Sequence, residues 1–200
     1  MNAQTNPTTF NIGAAVEGGT FAGIIQIDGS RYGVVVAPKA TGETEGPWGE
    51  YGKRIPADSL ADGLANTQAM AEAGNEIATW ALALTIDNHA DWYIPSRDEL
   101  ELIYRNLKPG TRGNICSYRD GENPSSVPFG ELYTDENPAQ TPVAAFQSDG
   151  EEAMEPSWYW SSTQSAADHA FGQAFSDGYQ YGYRKDGTLR VRAVRRFLID

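Results

Sequence analysis

Two histidines, one cysteine and 27 acidic side chains are the residues from which this chain would have to build a reactive centre, and their arrangement offers little to build with. His89 and His169 stand far apart in sequence. There is no Gly-x-Ser-x-Gly elbow, Cys-x-x-Cys pair, His-Glu-x-x-His zinc motif, P-loop or dinucleotide fingerprint. Cys116 is alone, which excludes an internal disulfide and reads as a buried or idle thiol. Asp149, Glu151, Glu152 and Glu155 read as a solvated acidic loop rather than an acid/base pair. No catalytic residue, metal ligand or cofactor is expected.

Contact chemistry is what the sequence does concentrate. Tyr179, Tyr181 and Tyr183 crowd among Gly178, Gly182 and Gly187, with Asp177, Arg184 and Asp186 beside them. Tyrosine supplies large, stiff, amphipathic area at low entropy cost, and glycine supplies an adaptable backbone, the composition of an antibody-like contact surface. The plainer alternative is a glycine-spaced surface hairpin with ordinary exposed tyrosines. Tyr179 and Tyr183 would also suit stacking on a sugar ring.

The elements that must position this segment follow from local pattern. Trp158, Tyr159 and Trp160 followed by Ser161, Ser162 and Thr163 read as an aromatic and hydroxyl-rich strand, Ala170, Phe171, Gln173 and Phe175 as a short strand, Ser176-Asp177-Gly178 as a turn, and LRVRAVRRF as one further strand. Near the start, FAGIIQIDG and RYGVVVAPK form two strands around an Asp28-Gly29-Ser30 hairpin signal. Thr41 to Asp58 reads as a loop anchored by Trp48 and Tyr51. Leu60 to Ile86 is helical in composition, with breaks or bends at Gly63 and Gly74. Ser96 caps a second helix and Glu99 closes its capping box. Leu100, Ile103, Tyr104 and Leu107 line one face of that helix, and Pro109-Gly110 ends it. From Thr111 to Pro156 runs a long loop rich in Pro, Gly and acid, pinned by Phe129, Leu132, Tyr133 and Phe146.

At 200 residues the chain can bury one good core, and one domain is expected over residues 16–200, behind a polar arm of residues 1–15. Its net charge of −12 argues against nucleic acid or an anionic membrane as partner. Arg190, Arg192, Arg195 and Arg196 form a local basic strip that is expected to pair with carboxylates of the same domain. The N-terminal residues show neither a basic n-region nor an apolar h-region, and no run is long enough to span a membrane. A soluble protein without a visible export signal is expected.

DWYIPSRDELELIYRNL, then YWSSTQ, then AFGQAFSDG, then RVRAVRRF, in that order, resembles the C-type-lectin-like domains whose ends are rewritten by diversity-generating retroelements. The same branch includes the ligand-binding ends of collagen-like bacterial adhesins. The resemblance runs from about Gly19 to Phe197. It implies an α+β fold of the C-type-lectin-like type, a twisted antiparallel sheet flanked by two helices with long ordered loops, in which Trp92 and Trp160 are core. It also raises calcium for the 111–156 loop. However, Glu122-Asn123-Pro124 and Asp135-Glu136-Asn137-Pro138 lack the Glu-Pro-Asn order of the calcium-dependent sugar binders, and no Trp-Asn-Asp follows.

In that family a template RNA is copied with errors at adenines, so that AAC codons scatter into codons ending in C, which cannot encode Trp, Met, Lys, Glu or Gln. The resemblance places the variable region at about 158–197 and the diversified, ligand-binding positions at Ala166, Asp168, His169, Gly172, Ala174, Tyr179, Tyr181, Gly182, Tyr183, Arg184 and Gly187. All eleven are residues that such a codon allows, an outcome that chance composition gives roughly one time in ten. Gln164, Gln173, Gln180 and Lys185, which it forbids, fall at fixed positions. The diversified positions are expected to project from loops and strand faces. The implied function is recognition of a protein or glycan ligand on a cell surface, by a phage tail or a bacterial protein, with copies linked in a homo-oligomer for avidity. A non-diversified lectin-like adhesin binding glycans is the alternative. An oxidase-like enzyme of the same fold comes last.

Overall fold

β-Rich runs dominate both ends of the chain, and in the computed structural model, which describes residues 10–115 and 118–199, the two ends pair with each other. Strands β1 (Ala15–Val16), β2 (Gly19–Ile27), β3 (Ser30–Val36) and the C-terminal β10 (Val194–Leu198) lie in the order β1-β2-β3-β10, and the short β5 (Ser126–Val127) also pairs with β2. The β2–β3 turn is the expected Asp28-Gly29 hairpin. Both central residues have positive φ, 50° and 86°, as a two-residue turn matched to strand twist requires. A second sheet has the order β4 (Glu43–Pro47), β9 (Thr188–Arg192), β6 (Trp158–Gln164), β7 (His169–Ala174), β8 (Gln180–Arg184). Every pair within these sheets is antiparallel except β6 with β9.

The molecule is α+β, but not one sheet with two flanking helices. Among the described residues there are two sheets and four helices: α1 (Lys39–Gly42), α2 (Gly63–Glu72), α3 (Glu76–Ala83) and α4 (Arg97–Leu107). LRVRAVRRF divides at Ala193, whose N–H donates to Gly42 O at 2.8 Å and whose carbonyl accepts from Ala37 N at 3.0 Å. One half joins each sheet. The expected 41–58 loop contains β4, a strand without hydrophobic alternation that is held by backbone pairing to β9 and by Trp160 Nε1 donating to Gly46 O at 3.0 Å. The helical stretch after Leu60 splits at Gly74, where φ is +88°, and Asn75 caps the second piece by accepting from Ala78 N at 2.8 Å.

Helix α4 packs against β2 of one sheet and β6 and β7 of the other, so its N-terminus sets their relation. Its capping box is complete: Ser96 Oγ accepts from Glu99 N, and Glu99 Oε2 accepts from Ser96 N at 2.7 Å. Glu99 is buried, and burial holds its carboxyl above the usual range even though it also accepts from Tyr93 Oη at 2.6 Å and Gly63 N at 3.1 Å. Trp92 and Trp160 are fully buried, as is Phe146. Tyr133 is half-buried and donates to Glu101 at 2.8 Å, whereas Phe129 and Leu132, expected to pin the long loop, are exposed. That loop is held mainly by polar contacts, with Asn123 Nδ2 donating to Asp98 O and Glu101, and Arg105 donating to Gly121 O and Glu131 O.

The arginine strip pairs internally. Arg190 and Arg192 meet Glu43, Arg192 also meets Glu152, Arg195 meets Glu17 and Asp91, and Arg196 meets Asp62. No helix among the described residues is long and apolar enough to cross a membrane. Cys116 and residues 1–9 of the expected arm lie outside the described residues.

In denaturant titration, Ser96→Ala is expected to cost about 1 kcal/mol through loss of the cap. Trp160→Ala is expected to cost about 3 to 5 kcal/mol through the cavity it leaves. A Trp160→Ala protein as stable as the parent would contradict the packing described.

Candidate ligand-binding face

Strand β7 carries small residues at every second position, and this choice shapes the face. Ala170, Gly172 and Ala174 alternate along it. Across the sheet Gly172 lies opposite Trp160 and Tyr181, Ala170 opposite Tyr183, and Ala174 opposite Trp158. With no bulk between them, rings from the strands on either side close over β7. Trp158 meets Tyr183 at 4.7 Å and Tyr179 at 6.0 Å, Tyr181 meets Tyr183 edge-on at 6.1 Å, and Tyr179 stacks on Tyr181 at 6.3 Å. These spacings fall within the range for offset and edge-to-face aromatic pairs. A Cβ added at Gly172 would meet Leu189 at 3.1 Å and the Tyr159 carbonyl at 3.2 Å, so the position has little room.

Charged groups gather at the adjoining rim. His169 Nδ1 lies 2.9 Å from Asp168 Oδ1, and Arg184 pairs with Asp186 at 2.7 Å. These partners hold the Asp168 and Asp186 carboxyls below the usual range. His169 and Arg184 are cross-strand neighbours in the β7–β8 ladder. Tyr51, expected as a loop anchor, is instead 49% exposed and joins this rim: the Arg184 guanidinium lies 4.6 Å from its ring, and its hydroxyl is 3.4 Å from Asp168. It points outward because Trp48 and Ile55 take the inward positions of that loop.

The structure brings most of the eleven sequence-derived positions to one end of the second sheet. Tyr181 is 57% exposed and Arg184 also exposed, while Ala166, Asp168, His169, Tyr179, Gly182, Tyr183 and Gly187 are partly exposed. Gly172 and Ala174 do not project; both are buried on the ring-covered face of β7. Trp158 and Tyr51 belong to the same surface but were not singled out for contact in the sequence. The one local signal for Tyr51 is its setting between Gly49 and Gly52.

The intervening residues behave differently. Gln164, Gln173, Gln180 and Lys185 are all buried. Gln164 Nε2 donates to Ile55 O at 2.6 Å and Asp58 Oδ1 at 2.8 Å, while its Oε1 accepts from Lys185 Nζ at 2.6 Å. Lys185 Nζ also donates to Lys53 O at 2.8 Å and sits 4.6 Å from the Trp48 ring. Gln173 Nε2 donates to Tyr133 Oη and Gly178 O, each at 3.3 Å. Among the described residues, no three His, Cys, Asp or Glu side chains are grouped to hold a metal ion.

A family model described as the Lcl C-terminal domain matches residues 48–195, which span α2 to α4 and the whole ring-and-rim surface. The chain belongs to the Lcl C-terminal domain family. This is the family of C-type-lectin-like domains that includes the variable proteins of diversity-generating retroelements, and it is a family of lectin-like binding domains. A search of curated proteins finds no match to the chain. In this Lcl C-terminal domain the match begins at Trp48, so the loop that carries Tyr51 falls inside it.

Lys185 gives the site a measurable signature. Burial pushes its amine down to about 8, against about 10.4 for an ordinary lysine. Below about 8 the native state carries the cost of a buried charge. From there to about 10.4 the unfolded chain binds the extra proton, so stability rises with pH across that window. The unfolding free energy of the parent, relative to Lys185→Met, is therefore expected to increase from about pH 7.5 to about pH 10. A difference that does not change with pH would contradict the placement of this ammonium.

Proposed function

We propose that this chain is a ligand-binding protein whose C-terminal face is diversified by a retroelement to recognise varied targets. Asp168, His169, Tyr179, Tyr181, Tyr183 and Arg184 are its principal contacts, with Ala166, Gly182 and Gly187 in the surrounding turns and strand. Gly172 and Ala174 act beneath the rings, where their small size sets how closely the aromatic side chains approach. The ligand is a protein or glycan on a cell surface, and linked copies of the chain multiply a modest affinity.

One observation carries the reading. Along a single stretch of sequence, side chains that a C-ending codon excludes, Gln164, Gln173, Gln180 and Lys185, are buried, and Gln164, Gln173 and Lys185 hydrogen-bond inward, while most of the interleaved residues that it allows face outward. An exposed side chain away from caps, buried partners and unusual backbone is replaceable at about 0.5 kcal/mol or less, whereas a buried hydrogen-bonded amide is not. A binding face that must change without losing its fold needs this separation.

Sequencing the DNA around the coding region tests the proposal. The expected result is a reverse transcriptase gene beside a near-copy of the 3′ coding end, with adenines at the codons of the eleven positions and unchanged codons for Gln164, Gln173, Gln180 and Lys185. A locus with neither feature would contradict diversification. Binding to a glycan array that survives replacement of the exposed positions would then favour a fixed lectin-like adhesin.

A further inference from the structure

The loop from Gly49 to Arg54 is remote in sequence from the C-terminal segment yet forms part of the same rim. Its backbone is fixed on both sides of Tyr51. The buried Trp48 donates through Nε1 to Ser161 O at 2.8 Å, Asn75 Nδ2 donates to Trp48 O at 2.6 Å, Gly49 N donates to Lys185 O at 3.1 Å, and Lys185 Nζ donates to Lys53 O. The Tyr51 side chain stands out from this anchored backbone. Its named partners are Arg184 and Asp168, whose own side chains are 62% and 38% exposed.

This combination is poorly suited to a role in stability. An exposed ring over an exposed guanidinium is a weak contact in water, and the hydroxyl contact to Asp168 is long. It is well suited to recognition: a tyrosine has few torsions to freeze, and the loop beneath it is already ordered, so a partner meets a large amphipathic group at low entropic cost. Resting on the reading of the face given above, we infer that Tyr51 is a ligand contact supplied by the fixed part of the chain, common to every variant that the C-terminal segment presents. The binding face then consists of a constant tyrosine beside a replaceable set.

Yeast display of the full chain tests this with hen egg-white lysozyme as the probe. A library randomised at Ala166, His169, Tyr181 and Gly187 is selected for lysozyme binding, and Tyr51→Ala and Tyr51→Phe are then introduced into individual binders. Tyr51→Ala is expected to weaken most binders by about tenfold or more without moving their thermal midpoints, and Tyr51→Phe to retain most of the affinity. Binders that depend on the randomised residues but lose less than about twofold on Tyr51→Ala would overturn the inference and leave the C-terminal face standing. A library that yields no lysozyme binder, or binders indifferent to the randomised residues, would overturn the reading of the face and this inference with it.

Discussion

The ammonium of Lys185 lies out of water, and the end of the molecule that carries the candidate face is organised around satisfying it. Removing such a charge from solvent costs several kcal/mol unless acceptors and an aromatic face replace its hydration. Here Gln164 Oε1, Lys53 O and the Trp48 ring replace part of it, and the cost that remains holds the amine below the ordinary lysine range. These groups come from β6 and from the 48–53 stretch at the start of the family match, so one buried cation draws together, with its own turn, two stretches that share no local sequence relation. Gln164 extends the linkage by accepting from Ile55 N and donating to Ile55 O and Asp58. The turn after β8 is held by its inward-facing lysine, which leaves the neighbouring Arg184 and Asp186 outside.

A second set of buried polar groups ties this end to the rest of the fold. Ser162 N donates to Pro95 O at 2.8 Å, and Thr163 Oγ1 accepts from Arg97 N at 2.9 Å and donates to Ser59 O at 2.7 Å. Strand β6 is thereby fastened to the capped end of α4 and to the segment leading into α2. Strands β7 and β8 build outward from it by backbone pairing. The order of rigidity follows from the order of attachment: β6 is held by side chains on both flanks, β7 by its neighbours, and β8 by its ladder to β7 with Gln180 and Lys185 turned inward. Substitution of outward-facing residues on the outer strand would leave these inner bonds untouched.

What was legible in the sequence was local. The capping box at Ser96 and Glu99, the Asp28-Gly29 hairpin, and the break near Gly74 each depend on a few adjacent residues, and each is present. Trp92 and Trp160 were placed in the core through the family pattern, and the arginine strip pairs with carboxylates as its charge balance suggested. What escaped depends on distant partners. β4 has no alternation to reveal it because its pairing with β9 supplies the strand. The division at Ala193 is set by bonds to Ala37 and Gly42, and the burial of Gly172 by rings from neighbouring strands. Tyr51, Phe129 and Leu132 look apolar enough to anchor loops, but polar contacts and other aromatic side chains had already taken that work.

The central claim is that fixed and replaceable side chains alternate along one stretch of chain, and a single-substitution scan of residues 158–187 read out by protease resistance measures it directly. Substitutions at Asp168, His169, Tyr181 and Arg184 are predicted to leave resistance near that of the parent, while those at Gln164, Gln173, Gln180 and Lys185 lower it. Equal losses at the two sets, or greater losses at the exposed set, would contradict the account.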